Sequence, residues 1–531
     1  MPAETVLLRH LGRRAVRSAV PWGVAFGLVV LSSGVSYLSA YPHVADRQAL
    51  QLSLGGNVGL AAIFGPVRSL ADVGGFTAWR ALGLLTIVGG IWGVLAGARL
   101  MRGEEEAGRW EVLLASATTR RRAAAAGVAA GGLALVALGL ATLAGALLGV
   151  PATGLRVGSC VFLAATLVAP AAVFLAITLL LAQFVPTRRV AAQYGALAFG
   201  VAYVVRLVAL ATGRDWLARF TPLGWVDAAR PMTGSHLAPL LAAYALAIAA
   251  GVAAAGVAGR RDLGAAAWAR SDRATGATRL LGGPGRFAAR QALPQILGWV
   301  VGIAAFTAVF GLVSGSVADA TLRSHAMNGL LDRLGAPGAG TRAFLGLGML
   351  TMSSAIALAA AAWVSGIREA ESAGLVDVVL VQPVSRRRWL AGRVAVAAAG
   401  LVALGLATGV ALIASVTSDA RVAVADLVAA GLNAVPIALV VIGGGVLTLG
   451  VLPRATAAVA YGLVAFSFLD EMIGAMVDAP SWVLDLSLLH HLALAPDVAP
   501  DWSTNAVLVA IGLAAALAGG LAFTRRDLVT A

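Results

Sequence analysis

The 531-residue chain is 60% hydrophobic and only 12% charged, which leaves too little polar surface to cover a soluble protein of this size. All 39 basic residues are arginine and the net charge is +14, but the arginines cluster between apolar stretches, which favours a membrane over nucleic acid as their partner. The single cysteine, Cys160, excludes an intrachain disulfide.

Twelve apolar stretches, each long enough to cross ~30 Å of hydrocarbon as a helix, follow one another along the chain. The alternating pattern of a membrane β-barrel is absent, so the sequence predicts an all-α integral membrane protein. With a cytoplasmic N-terminus, 27 of the 39 arginines fall in cytoplasmic segments. This positive-inside bias predicts a multi-pass protein of the cell membrane with both termini in the cytoplasm. The predicted spans are 20–41, 79–100, 123–150, 157–184, 190–211, 237–258, 295–317, 342–364, 393–416, 424–450, 455–475 and 504–523.

The second six spans repeat the first six, because four short motifs recur in the same order at a nearly constant offset. The matching pairs are Arg17–Pro21 with Arg290–Pro294, Arg102–Gly108 with Arg368–Gly374, Tyr194–Gly195 with Tyr461–Gly462, and Arg260–Leu263 with Arg525–Leu528. Six is an even number, so we expect two parallel copies related by a pseudo-twofold axis along the membrane normal. The predicted organisation is a first half at 1–261, a cytoplasmic linker at 262–286 and a second half at 287–531.

A duplicated loop between the second and third spans of each copy carries the strongest functional signal. The first loop (104–122) and the second loop (370–388) each contain a Glu-x-x-Gly pair, a short helix with one apolar face and a run of three arginines. Thr119 and Ser385 are placed to cap the next helix, whose first turn disfavours cations. The residues concerned are Glu105, Gly108, Trp110, Leu113, Leu114, Arg120, Arg121 and Arg122 in the first loop, and Glu371, Gly374, Val376, Val379, Leu380, Arg386, Arg387 and Arg388 in the second.

Each loop is interpreted either as a docking surface or as a lipid-facing charge cluster. In both cases we expect the arginines to be compensated from outside, by anionic headgroups or by acidic groups of a partner. A role with lipid alone would keep the number of charges rather than the Glu-x-x-Gly spacing. The duplicated spacing therefore favours docking, with the apolar face of the short helix filling a groove on the partner.

The loop resembles the coupling loop of type-2 ABC exporter permeases. The likeness extends to an arginine-bearing amphipathic segment before the first span, to Phe220–Trp225 between spans five and six, and to the Arg-Arg-Asp-Leu ending after span six. Most members have a single six-span unit; this chain is similar to the fused double version found among actinobacterial polyketide-antibiotic exporters of the tetronasin type. The second copy departs from the pattern, because Ser487–His491 replaces the Thr-Pro-Leu-Gly-Trp segment.

The resemblance implies a permease subunit of an ATP-driven exporter that moves small hydrophobic or amphipathic compounds, such as drugs, antibiotics or lipids, out of the cell. A phosphate-binding P-loop needs a lysine, and the chain has none. We therefore expect no enzymatic activity and no cofactor in this chain, with ATP and magnesium bound by a separate ATPase. Two loops in one chain predict two ATPase copies per chain. The other expected partners are membrane lipids and the substrate, with no nucleic acid.

Charged residues within the predicted spans are candidates for an outer gate. Arg206 in span five and Asp470 and Glu471 in span eleven lie at nearly the same height, ~24 Å from the cytoplasmic end at 1.5 Å per residue. They form either a gate between the two halves or an interfacial cluster. Aromatic residues of the same spans either line a substrate cavity or pack between helices; these are Tyr194, Phe199, Tyr203, Tyr461, Phe466 and Phe468.

Two other functions are compatible with the sequence. A proton-coupled secondary transporter also suits a six-plus-six repeat, but it needs carboxylates in mid-membrane, where only Asp470 and Glu471 come near. A membrane enzyme needs several catalytic acids in one loop, whereas the outer loops contain scattered aspartates. The adjacent pair His490 and His491 is the nearest approach to a metal motif, and no metal site is predicted from it.

Overall fold

The computed structural model describes residues 3–55, 61, 64–114, 118–262, 282–321, 341–416, 422–477 and 481–528. Regular structure in these residues is entirely helical, which confirms the predicted class. The chain forms two compact units, and we call Met1–Ala274 the first half and Thr275–Ala531 the second half. Each is described by itself. Most of the predicted linker at 262–286 lies outside the described residues, so the predicted domain boundaries stay a prediction.

The first half is a bundle of long helices around one helix that is apolar on every face. This central helix, the fourth span, buries Leu163, Leu167 and Leu179 completely, as expected for a helix surrounded by other helices. The described helices of six residues or more in this half are α1 (Ala3–Ala40), α2 (Val44–Leu54), α3 (Val73–Ala98), α4 (Arg109–Leu114), α5 (Arg120–Leu148), α6 (Val157–Leu181), α7 (Arg188–Thr212), α8 (Pro222–Ala228) and α9 (Leu237–Ala258).

The second half has the same order of long helices, with its fourth span broken in two. The break falls at Ala434, two residues before Pro436, whose ring cannot continue a regular helix. The side chain of Asn433 at the break donates to the carbonyl of Ala493 at 2.9 Å and accepts from Asn505 at 2.7 Å. The helices are α10 (Pro284–Thr321), α11 (Thr341–Ser372), α12 (Leu375–Leu380), α13 (Arg386–Ser415), α14 (Val424–Asn433), α15 (Val435–Val451), α16 (Thr456–Val477), α17 (Ser481–Leu484) and α18 (Trp502–Arg525).

Eleven helices among the described residues are long and apolar enough to cross a membrane. They correspond to eleven of the predicted spans; the predicted span at 455–475 corresponds to α16, which is helical but is not among the eleven. The count of about twelve and the pseudo-twofold relation stay predictions.

The first span of each half differs most from its predicted bounds. Both α1 and α10 are 38 residues long and continue through a proline, Pro21 or Pro294, so the basic amphipathic segment and the span form one helix.

Candidate functional site

Each loop begins where a long helix ends at a glycine. In the first half, α3 continues through a π-helical turn at Arg99–Gly103 and a last turn at Glu104–Glu106. Gly108 then adopts φ +67°, and its N–H donates to the carbonyl of Glu105 at 3.0 Å. In the second half, Gly374 has φ +70° and its N–H donates to the backbone carbonyl of Glu371 at 2.9 Å. The Glu-x-x-Gly pair is therefore a helix end, in which glycine supplies the left-handed residue.

The carboxylate of Glu105 lies inside the first half. Its side chain is 5% exposed and accepts from both terminal nitrogens of Arg261, at 2.8 and 2.7 Å, and from Nη1 of Arg102 at 2.9 Å. Arg261 Nε also donates to Gln183 Oε1 at 2.9 Å, and Arg102 Nε donates to the carbonyl of Ala182 at 2.7 Å. Two guanidinium groups therefore share one buried carboxylate, and the Nε donor of each has a neutral acceptor within the same half.

The second half repeats this arrangement around Glu371. That side chain is 1% exposed and accepts from Arg526 at 2.6 and 2.8 Å, with Arg368 at 3.1 Å. Arg526 Nε donates to the carbonyl of Leu449 at 3.1 Å. We call each set, Glu105 with Arg102 and Arg261 or Glu371 with Arg368 and Arg526, a glutamate–arginine clasp.

The first arginine of each three-arginine run has a hydrogen-bond acceptor within its own half. Arg120 Nη1 donates to the carbonyl of Arg261 at 2.9 Å and pairs with Asp262 at 2.8 Å. Arg386 Nη1 donates to the carbonyl of Arg526 at 2.6 Å. The expectation that an external anion compensates all six arginines is therefore wrong for Arg120. For Arg386, whose acceptor is a neutral carbonyl, it stays a prediction.

The other four arginines of the runs are exposed, and the two predicted helix caps are confirmed. The exposed side chains are Arg121, Arg122, Arg387 and Arg388. The hydroxyls of Thr119 and Ser385 each accept from a backbone N–H three residues later, both at 3.3 Å.

The apolar face of each short helix packs inward, which corrects its predicted use as a groove-filling face. Trp110 is 3% and Val376 1% exposed. Partly buried Leu114 packs against the hydrophobic core of the first half, and Val379 and Leu380 pack against that of the second half. The side chain of Leu113 lies outside the described residues. The exposed apolar residues of the second short helix and of the position after it are instead Leu375, Val378 and Val381, at 57%, 70% and 83%. Asp377 is exposed beside them.

Two further glutamates attach the first loop to other helices. Glu104 pairs with Arg14 of α1 at 3.2 Å and with Arg109 at 2.6 Å, and this hydrogen bond raises the pKa of Arg109. Glu106 Oε1 accepts from the backbone N–H of Arg188, the first residue of α7, at 2.6 Å. Ala370 and Ser372 stand at the corresponding positions of the second loop, which therefore lacks these two carboxylates.

Two residues of the predicted gate, Arg206 and Glu471, contact a residue of opposite or titratable charge within their own half. Arg206 is 1% exposed and donates to both oxygens of Asp227, at 2.6 and 3.0 Å. Glu471 lies 3.7 Å from Nδ1 of His490. Sequence reasoning missed Asp227, although it follows the Phe220–Trp225 segment closely. The role of Arg206, Asp470 and Glu471 as a gate stays a prediction.

The six aromatic residues proposed for a cavity divide into a packed pair and an exposed group. Phe199 and Tyr203 are 9% and 8% exposed, and Phe199 packs edge-on against Phe174 with ring centroids 5.0 Å apart. Tyr194, Tyr461, Phe466 and Phe468 are 37–50% exposed on their helices. Their part in a substrate cavity stays a prediction. Within the described residues no group of three or more potential metal ligands occurs.

The arginines that complete the two clasps were recognised in the sequence only as marks of the repeat. Arg261 and Arg526 are the second residues of the Arg-Arg-Asp-Leu segments. Their partners lie 156 and 155 residues earlier, so spacing alone gives no sign of the contact. The available signal was that the Glu-x-x-Gly and Arg-Arg-Asp-Leu motifs were duplicated together.

Comparison with known proteins gives two matches. The family model for the C-terminal domain of the multidrug efflux system permease Rv1217c matches residues 11–261 and 281–524, a range that includes both loops. The multidrug efflux system permease protein Rv1217c of Mycobacterium tuberculosis (strain ATCC 25618 / H37Rv) is 28% identical over 386 residues, which cover 72% of this chain and 69% of the relative.

Proposed function

The chain belongs to the family of the multidrug efflux permease Rv1217c, C-terminal domain, and we propose that it is the membrane-spanning subunit of an efflux system for hydrophobic or amphipathic compounds. The family match over both halves is the observation that carries this proposal. The eleven candidate spans agree with it, because a permease needs a helical bundle within the membrane.

The energy source in this proposal is ATP, hydrolysed by a separate ATPase that contacts the two loops. The absence of lysine supports a separate motor, since a P-loop lysine must reach the nucleotide phosphates. The exposed side of each loop supports contact with a partner: Leu375, Val378 and Val381 in the second loop, and Arg121 and Arg122 in the first. One chain with two loops would bind two ATPase copies.

The finer architecture follows from the resemblance to fused exporters of the tetronasin type. It comprises about twelve spans in two parallel six-helix repeats, with both termini in the cytoplasm. The recurrence of the same clasp between the same motifs supports the repeat. The distribution of arginine along the chain supports the orientation.

Single-cysteine labelling tests this orientation. Arg260 follows the sixth span and is exposed, while Trp216, in the short helix Asp215–Ala218 after α7, is 57% exposed. In a Cys160→Ala background, Trp216→Cys should react with an impermeant maleimide added to intact cells, and Arg260→Cys should react only after the cells are opened. The reverse pattern would overturn the orientation.

Reconstitution tests the energy source. The chain is purified with the ATPase that accompanies it, placed in liposomes and assayed with a lipophilic fluorescent dye. We expect ATP-dependent dye movement and a native mass of one chain with two ATPase subunits. Dye movement that follows an imposed pH gradient without ATP would instead support the proton-coupled secondary transporter.

A further inference from the structure

The second arginine of each Arg-Arg-Asp-Leu segment occupies the same junction in both halves. Arg261 and Arg526 each direct two N–H donors at both oxygens of a buried carboxylate, at 2.7–2.8 Å and 2.6–2.8 Å. The remaining donor, Nε, reaches the end of the fourth span, at Gln183 Oε1 in the first half and at the carbonyl of Leu449 in the second. One side chain thus joins the loop after the second span to the ends of the fourth and sixth.

The start of the third span joins the same point. The carbonyl of Arg261 accepts from Arg120, and that of Arg526 accepts from Arg386, in each case the first residue of the third span. Four spans of each half therefore meet at one arginine next to the loop. The short helices have diverged, with Trp110 at the position of Val376. The arginine–carboxylate bonds nevertheless recur at nearly the same distances, and only the acceptor of Nε changes, from a side-chain oxygen to a backbone carbonyl.

We infer that Arg261 and Arg526 are positioning residues that make each loop move together with the ends of the second, third, fourth and sixth spans. The inference rests on the proposed function, because it concerns how a push by the ATPase on the loop reaches the membrane. Two parallel N–H···O bonds fix both distance and angle, and burial keeps water from replacing either partner. Glu105 and Glu371 accordingly act inside each half rather than on the ATPase.

The test uses two substitutions of Arg526 and a matched control in the complex with the copurifying ATPase. Arg526→Ala removes the whole fork, whereas Arg526→Lys keeps the charge but replaces the planar fork with a single ammonium group. Arg525→Ala removes a neighbouring charge whose side chain is exposed. In the first half, the corresponding variant is Arg261→Ala and its control is Arg260→Ala, because the side chain of Arg260 is exposed.

Two measurements separate positioning from simple stabilisation. Spin labels at Gln382 of the second loop, outside the exposed apolar residues, and at Leu521 of α18 report the distance between loop and last span; both positions are exposed. Substrate-stimulated ATP hydrolysis per bound ATPase reports coupling. The double variant Glu371→Arg with Arg526→Glu restores a pair of opposite charges and guards against a general folding defect.

For Arg526→Ala we expect a broadened distance distribution and a loss of substrate stimulation of about tenfold or more, since a buried carboxylate is left without its main partner. Arg526→Lys should be intermediate, the charge swap should recover part of the loss, and Arg525→Ala should match wild type. A narrow distribution or wild-type stimulation in Arg526→Ala would overturn the inference. If the wild-type chain itself shows no ATPase association, the proposed function fails and the inference falls with it.

Discussion

The two loops share one clasp and differ in what surrounds it. In the first loop, three consecutive glutamates contact three separate places: Glu104 the first span, Glu105 the clasp, and Glu106 the start of the fifth span. In the second loop only the central residue, Glu371, has a carboxylate at the corresponding positions, because Ala370 and Ser372 flank it.

Their exposed surfaces differ in the same way. The second short helix presents Leu375, Val378 and Val381. In the first, position 109 is an arginine whose side chain is 43% exposed and paired with Glu104. The comparison separates what both loops share, the clasp and the glycine turn, from what differs in the first copy, two further attachments and an arginine in place of Leu375.

The largest effect is expected from removing the central carboxylate. Glu105→Ala leaves two buried arginines without their main acceptor, which costs about 3–5 kcal/mol for a broken buried pair. Glu371→Ala does the same to two arginines that are partly buried, at 14% and 15% exposure. The second loop should be released further, since it lacks the carboxylates that Glu104 and Glu106 provide. Trypsin cleavage at Arg386–Arg388 should therefore accelerate more in Glu371→Ala than cleavage at Arg120–Arg122 does in Glu105→Ala.

Equal acceleration of cleavage in the two variants would show that the additional glutamates do not hold the first loop. The triple variant that also removes Glu104 and Glu106 provides the matched comparison. It should make the first loop as accessible to trypsin as the second.

A smaller effect is expected at the exposed surfaces. Val378→Asp places a charge at the centre of the apolar patch and should weaken ATPase association by about 2 kcal/mol, the size of a central interface residue. Glu111→Ala on the exposed side of the first helix should cost less than ~1 kcal/mol, as for an exposed charge. Quantitative pull-down at fixed salt measures both. Leu486→Asp, at another exposed apolar site in the second half (61%), is the control.

The glycine turns should respond equally in the two halves. Gly108→Ala and Gly374→Ala force an alanine into φ near +70°, at roughly 1–2 kcal/mol. No atom lies within 4 Å of an added Cβ at either site, so the cost is conformational rather than steric. Gly520→Ala adds a Cβ to an equally open site within α18, where alanine is the better helix former. Thermal unfolding should therefore show that Gly374→Ala lowers the stability of the protein and that Gly520→Ala raises it.

Local features of the loops could be predicted from the sequence because their causes are local. Thr119 and Ser385 cap the following helices within three residues, and the glycines end helices through their own backbone freedom. The apolar stretches likewise predicted the spans without knowledge of the packing. The sequence correctly predicted that each short helix buries one apolar face. It assigned that face to a groove on a partner, whereas the core of the same half covers it. An apolar stripe shows what is buried and does not show whether its own half or a partner covers it.

Contacts between distant segments could not be read from spacing. The Glu105–Arg261 pair joins residues 156 positions apart, and Arg206 is paired with Asp227 rather than with a charge identified beforehand. Coincident heights on two spans suggested a pairing between Arg206 and the Asp470–Glu471 segment, but height leaves the direction of each side chain undetermined. The duplicated motifs were the better guide, because both members of each clasp belong to segments that the repeat had retained.

The smallest effect is expected at the two helix caps. Substituting both caps tests whether the two halves have the same local structure where they have the same sequence pattern. Thr119→Ala and Ser385→Ala each remove a hydroxyl that accepts from a backbone N–H at 3.3 Å, which costs about 1 kcal/mol at an N-cap. Because the next three residues are arginines in both halves, the two losses should agree within error in thermal unfolding. Ser385→Thr keeps the acceptor and should be close to neutral. A difference between the two losses would contradict this expectation, because it would show that the surroundings of each loop, including the additional glutamates of the first, change what its cap contributes.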